Sequence, residues 1–459
     1  MDRRHLLNSA CCGFAAILAG CFGDNDSDSN EDIDPAPNGV TPESNETKQP
    51  EEEPLEGWNQ MRKDSRLSGA SPDELQADIQ LTKQWDIELS ILEQFKLEHI
   101  SPLRATANGQ VYVTTVTRQD DPEGVDDSIR VITLARIVDG TLESRIHARV
   151  DPLLSGTGLS LVDLAVTDDT AVCSFRKNSL PTDGSLSGEL VTFDLSTGET
   201  QYVEDRPGGG PITISGETIY VATVFEQGGF STEDGTAGVA AIETQTGTVR
   251  WQNELAEFSF AGETYPPSSM RPAVYGGSVY ASSPDGIQQF DPDRGTATVV
   301  TEHDGPCLID GDRGLLYVVG ENEITALDLT LGSASIAGSI TVEGTLRGAA
   351  VSDGTLVVTT DGSIAALDVP AGQTLWRHTE EAITSLPSIA GDTVYYLGID
   401  GLRCRSLSSG GGIRSSPVTL RDDADQLPES VSREPIVADG SVFVRSGNAV
   451  LAIEATDSS

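Results

Sequence analysis

The chain is 459 residues long and carries 29 Lys and Arg against 72 Asp and Glu, a formal net charge of −43. A protein this acidic is repelled by phosphate backbones, which excludes nucleic acid as a partner. Only five lysines are present and the acids run through the whole length, a composition that suits hydration in concentrated salt, where repulsion is screened within about 3 Å at 1 M, and that points to a halophilic source.

Residues 1–21 read as an export signal. Arg3-Arg4-His5-Leu6-Leu7 has the twin-arginine form, and Ala10 to Gly20 is an apolar run too short to span a bilayer. It ends in Leu18-Ala19-Gly20-Cys21, a lipobox in which the Cys21 thiol would accept the lipid. Two chains on Cys21 would hold the mature protein at the outer face of the cytoplasmic membrane. Residues 22–57 have almost nothing to pack and read as a disordered acidic linker. Asp24, Asp26 and Asp28 mimic the start of a calcium loop, but Ser29 and Pro35 stand where its glycine and bidentate acid belong. Asn25 and Asn45 are glycosylation acceptors by pattern. Residues 58–82 form a leader, in which Ser71-Pro72-Asp73-Glu74 has the form of a capping box before a short helix.

Residues 83–459 are read as one domain, in which from about residue 100 onward one phrase recurs: an apolar strand, a turn of Gly, Asp or Asn, and a β-branched or aromatic strand. Aligned on Tyr112, Val172, Tyr220, Tyr280, Tyr317, Val357, Tyr395 and Phe443, it gives eight units 37 to 60 residues apart. That spacing predicts an all-β fold, an eight-bladed β-propeller of four-stranded antiparallel blades. Most units add a second hairpin, as in "IAALDVPAGQTLW", where the acid (Asp368) can accept turn N–H bonds, the glycine permits the turn, and the tryptophan (Trp376) can lie on the next blade. Trp251 and Trp85 occupy comparable places. The last unit supplies three strands only, and an unpaired edge there would be exposed. The segment "KQWDIEL", Lys83 to Leu89, is therefore expected to complete the last blade and close the ring.

The pattern A-x-D-x-x-T-G-x-x-x-W resembles the pyrroloquinoline-quinone-like repeat shared by quinoprotein dehydrogenases and by the (BamB-like) propeller subunit of bacterial outer-membrane assembly machines. "GWNQMRKDSRLSGAS", Gly57 to Ser71, is similar to a leader that precedes such propellers in exported proteins of salt-loving archaea. A single-membrane archaeon would lack outer-membrane barrels, so that part of the family function is not carried over. Among dehydrogenases of this fold the resemblance implies pyrroloquinoline quinone, a calcium held by Glu, Asn and Asp, a general-base Asp and a vicinal cysteine pair. Here the adjacent cysteines are Cys11-Cys12, inside the signal, and Cys173, Cys307 and Cys404 are isolated. His99, His147, His303 and His378 lack metal-ligand spacing. The expectation is a non-catalytic, monomeric surface lipoprotein without cofactor or metal that binds envelope or membrane proteins; the alternative is a quinoprotein-type dehydrogenase.

Two features bear on where a partner would sit. The first-to-second and third-to-fourth turns of each blade are short, whereas the long segments 119–128, 177–188, 226–238, 258–269 and 421–432 fall at the opposite face, the expected working surface. Arg104, Arg271, Arg347 and Arg433 each lie at or just before an innermost strand. Either they ring one mouth of the channel and hold an anion or a partner's carboxylates, or each pairs with a neighbouring acid.

Overall fold

The structure is a computed structural model that describes residues 70–71, 79–88, 96–105, 110–119, 129–138, 141–149, 159–177, 188–203, 207–225, 234–259, 270–330, 334–380, 383, 385–398, 401–415, 434–438, 441–446 and 449–457. All belong to one compact unit spanning Glu52–Ser459. The signal, Cys21, the linker, the glycosylation acceptors, the helix expected after Ser71, and Arg433 lie outside the described residues.

The described residues form eight sheets, each built on a four-stranded antiparallel blade; two of the sheets carry a fifth strand, and the last blade takes its fourth strand from the start of the chain. The eight alignment residues all fall on second strands, from Tyr112 in Val111–Gln119 (blade 1) to Phe443 in Ser441–Ser446 (blade 8). The sheets pack face to face, so the core is a circuit of apolar clusters between neighbours. One unites Tyr112 and Leu134 of blade 1 with Cys173 and Phe193 of blade 2, and another unites Leu356 of blade 6 with Tyr317 of blade 5. Cys173, Cys307 and Cys404 are all buried. Burial pushes the Cys173 and Cys307 thiols up to about 12 and Cys404 to about 11, so they pack as small apolar groups.

Closure of the ring follows the sequence expectation. Strand Ile79–Glu88 pairs antiparallel with Ala449–Asp457, placing Trp85 opposite Ala452 and Asp86 opposite Leu451. It starts at Ile79, four residues before the expected Lys83. A further strand has no counterpart in the sequence expectation: Ala70–Ser71 pairs parallel with Ser388–Ala390, the inner edge of blade 7. The long segments of blade 3 are also partly strand, since Asp234–Glu243 and Val249–Ser259 pair out to Asp234↔Ser259. The remaining long segments lie mostly outside the described residues.

The opening turns of the outer hairpins behave alike. Asp194 Oδ1 accepts from the Ser196 and Thr197 amides at 2.8 and 2.9 Å, and Asp291 Oδ1 from those of Asp293 and Arg294 at 2.9 Å. Asp368 Oδ1 accepts from Ala371 at 3.0 Å. Each chain reversal ends on a positive-φ glycine: Gly198, Gly295 and Gly372 at +74°, +67° and +64°. An L side chain is disfavoured in that conformation, which explains glycine at the turn.

Candidate functional site: charged groups between the blades

Trp251 and Trp376 join neighbouring blades. In blade 3 the register runs Tyr220↔Ala241↔Trp251, with a bulge just before the tryptophan. Blade 6 repeats it as Val357↔Ala366↔Trp376, and blade 8 as Phe443↔Ala452↔Trp85. Trp251 stacks on Phe290 of blade 4 (centroids 5.8 Å, planes at 8°) and its Nε1–H donates to Pro292 O at 2.6 Å. Trp376 donates to Leu407 O of blade 7 at 2.7 Å. In both cases the indole lies over the glycine of the next blade's turn, so a Cβ on Gly295 or Gly410 would fall 2.5 or 2.6 Å from the ring. Burying each indole removes about 150–250 Å² from water.

A second inter-blade device is polar and lies on the innermost strands. Arg104 Nε donates to Leu164 O of blade 2 (2.7 Å), Thr213 Oγ1 of blade 3 to Pro272 O of blade 4 (2.6 Å), and Ser388 Oγ of blade 7 to Pro435 O of blade 8 (2.6 Å). Arg104, Thr213 and Ser388 each pair with their blade's alignment residue, Tyr112, Tyr220 and Tyr395. One repeat position thus ties a blade to the next at three boundaries.

At the entry ends of these strands Arg104 and Arg271 converge on one carboxylate. Asp163 Oδ1 accepts from Arg104 Nη2 at 2.9 Å and its Oδ2 from Arg271 Nη2 at 2.5 Å, while the Ile212 amide reaches the same Oδ2 at 3.1 Å. Arg271 Nη1 donates to Ile212 O at 2.5 Å. The three side chains are 1%, 1% and 6% exposed, and they bridge blades 1, 2, 3 and 4. Desolvation pulls Arg104 down, opposed by Asp163 and by buried Glu434 of blade 8. Arg445 of blade 8 closes the circuit by donating to Ser101 O at 3.0 Å.

The expected arginine ring is thus not an open mouth among the described residues. Arg104 and Arg271 are brought together but face Asp163, because an acid inside an apolar inner strand must be paired to be buried. Arg347 lies apart, more than half exposed, with Asp361.

Glu380, at the outer end of blade 6, forms a second buried cluster with blade 7. It accepts from Tyr396 OH at 2.6 Å and Arg405 Nη2 at 2.7 Å, and it also pairs with Arg403. Burial opposes its charge, but the Tyr396 and Arg405 hydrogen bonds outweigh burial and hold its carboxyl below the ordinary range. A carboxyl depressed in the folded state adds stability above its unfolded value, near pH 4.3, and that stability is lost as pH falls through the folded value. Glu380→Gln is expected to cost about 1.5–3 kcal/mol at pH 7. The gap between wild type and variant in urea midpoints should narrow on acidification; a constant gap from pH 7 to pH 3 would refute the assignment.

Three described residues of the types that a quinone and its calcium would use, Asp163, Trp251 and Trp376, are committed to contacts between blades. Asp163 sits between two guanidiniums that would repel a cation, Trp251 is stacked on Phe290, and Trp376 donates its indole N–H to Leu407 O between blades 6 and 7. No group of three or more His, Cys, Asp or Glu among the described residues could hold a metal ion.

Fold and repeat define the class: an eight-bladed propeller of pyrroloquinoline-quinone-like repeats. Residues 100–337 and 312–459 match the family described as outer membrane protein assembly factor BamB, and the chain belongs to that family. No curated protein matches the sequence. Among solved structures it is similar to BamB from Moraxella catarrhalis, with a TM-score of 0.52 and 15% identity over 82% of this chain and 100% of that one. It is also similar to Saccharomyces cerevisiae Sqt1, with a TM-score of 0.50 and 10% identity over 82% of this chain and 99% of that one. At such identities the likeness is one of fold.

Proposed function

We propose that the protein is a non-catalytic protein-binding or scaffolding propeller, held by a lipid on Cys21 at the outer face of the cytoplasmic membrane of a halophile, where it engages envelope or membrane proteins. The observation that carries this reading is the disposition of its buried charges. Asp163, Arg104, Arg271 and Glu380 all join one blade to another rather than face a reactant. The family's description as an assembly factor agrees with it. The long segments at the face where the inner strands begin would carry the contacts, since loops on a rigid scaffold vary without cost to the core.

The test is crosslinking and pull-down from intact cells with the full chain and its Cys21→Ser variant. Specific envelope or membrane proteins should be enriched with the wild type and depleted by at least tenfold with the variant. Recovery of the same background set from both would reject the reading, as would reduction of an artificial dye by the chain in the presence of pyrroloquinoline quinone and Ca²⁺.

A further inference from the structure

Blade 1 breaks the docking pattern, and the break leaves a hole. Its register runs Tyr112↔Arg136↔Ser144, with the same bulge before the last position, so Ser144 stands where blades 3 and 6 carry Trp251 and Trp376. The receiving turn of blade 2 is nevertheless built as the others are. Leu195 N donates to Asp169 O at 2.8 Å just as Leu407 N, whose carbonyl takes the Trp376 indole, donates to Asp392 O at 2.7 Å. Gly198 has a positive φ like Gly295 and Gly410. Over those two glycines a Cβ would strike an indole, whereas over Gly198 it would meet open space.

Between the two blades lies a cavity of about 220 Å³ lined by Tyr112, Arg136, Ile146, Asp168, Leu195 and Ser196. Tyr112 and Leu195 correspond in register to Tyr220 and Pro292 around Trp251, and Arg136 replaces Ala241. Arg136 Nε is buried without a hydrogen-bond partner, and the guanidinium pairs at its outer end with Glu143 at 3.1 Å. The boundary of blades 5 and 6, which also lacks a tryptophan, is closed differently. Blade 5 has Gly338 at this register, and a Cβ there would lie 2.7 Å from Val369 O, so backbone fills the place of the ring.

We infer that the boundary of blades 1 and 2 is a vacant indole seat that receives a tryptophan presented by a partner protein. The ring would lie over Gly198, its N–H would donate to Leu195 O, and Arg136 would lie against it as a cation on a π face. The identity of the guest follows from the chain's own Trp251 and Trp376, which fill the equivalent seats by the same bonds. That the guest comes from a protein rests on the proposed function.

The probe is N-acetyl-tryptophanamide titrated into the full chain. Saturable binding is expected at about 0.1–1 mM, weakened at least tenfold by Ser144→Trp, which fills the seat from within, and several-fold by Arg136→Ala. Absence of saturable binding to the wild type, or binding unchanged in both variants, would overturn the proposal. Binding seen only after Trp58→Ala would also overturn it, since the seat would then be filled by the chain's own leader. Envelope proteins captured equally by wild type and Ser144→Trp would reject the seat as the contact and leave the proposed function standing; indole binding with no protein capture would do the reverse.

Discussion

Asp163→Asn should destabilise the protein by about 3–5 kcal/mol, the usual cost of breaking one side of a buried ion pair. The substitution keeps the shape of the side chain but leaves Arg104 and Arg271, at 1% and 6% exposed, facing each other without their shared carboxylate. Equilibrium unfolding in urea should show the loss as a lower midpoint with an unchanged slope. Arg347→Gln is the control: its pair with Asp361 is more than half exposed and is worth at most about 1 kcal/mol. Salt separates the two further. At 1 M the Debye length is about 3 Å, which erases an exposed pair and leaves a buried one nearly intact. Equal shifts for the two variants, or an Asp163→Asn effect that vanishes in concentrated salt, would refute the role assigned to Asp163. Replacing Arg104, Asp163 and Arg271 together by apolar residues of similar volume should cost less than removing Asp163 alone, because the two guanidiniums are then not left facing each other and only Glu434 of blade 8 loses a charged neighbour.

Which parts of this architecture the sequence discloses follows from the range of the interactions. The eight units are legible because each repeats a local pattern: an apolar inner strand, a glycine or aspartate turn, and a β-branched or aromatic second strand. Closure by the early tryptophan strand is legible because the last unit runs short, and an edge must be covered. The Arg104–Asp163–Arg271 cluster is not legible in the same way. Its members are separated by 59 residues between Arg104 and Asp163 and by more than 100 between Asp163 and Arg271. One signal was present, a single acid inside the otherwise apolar run "LSLVDLAV", which has to find a cation if its strand is buried. The vacant seat depended on a bulge: Ser144 aligns with Trp251 only when Glu143 is skipped, as Arg250 is in blade 3. The two-residue parallel pairing of Ala70–Ser71 is too short to carry any periodicity.

Removing the closing strand should have the largest effect of all. A chain starting at residue 89 loses the nine register partners that Ile79–Glu88 makes with Ala449–Asp457. Strand Ala449–Asp457 then becomes a nine-residue edge, a template for pairing with a second copy. The expected result is self-association in gel filtration and a broad unfolding transition, because blade 8 no longer has a fourth strand. A synthetic peptide of residues 79–88 should restore the monomer by adding back as a strand. A chain starting at residue 72 isolates the contribution of the short parallel strand. It should remain monomeric and lose no more than about 1 kcal/mol, since only two residues of pairing are removed. If the shorter chain is instead a monomer with an undiminished midpoint, the ring is held by its inter-blade clusters alone, and the early strand with Trp85 is an attachment rather than the lock.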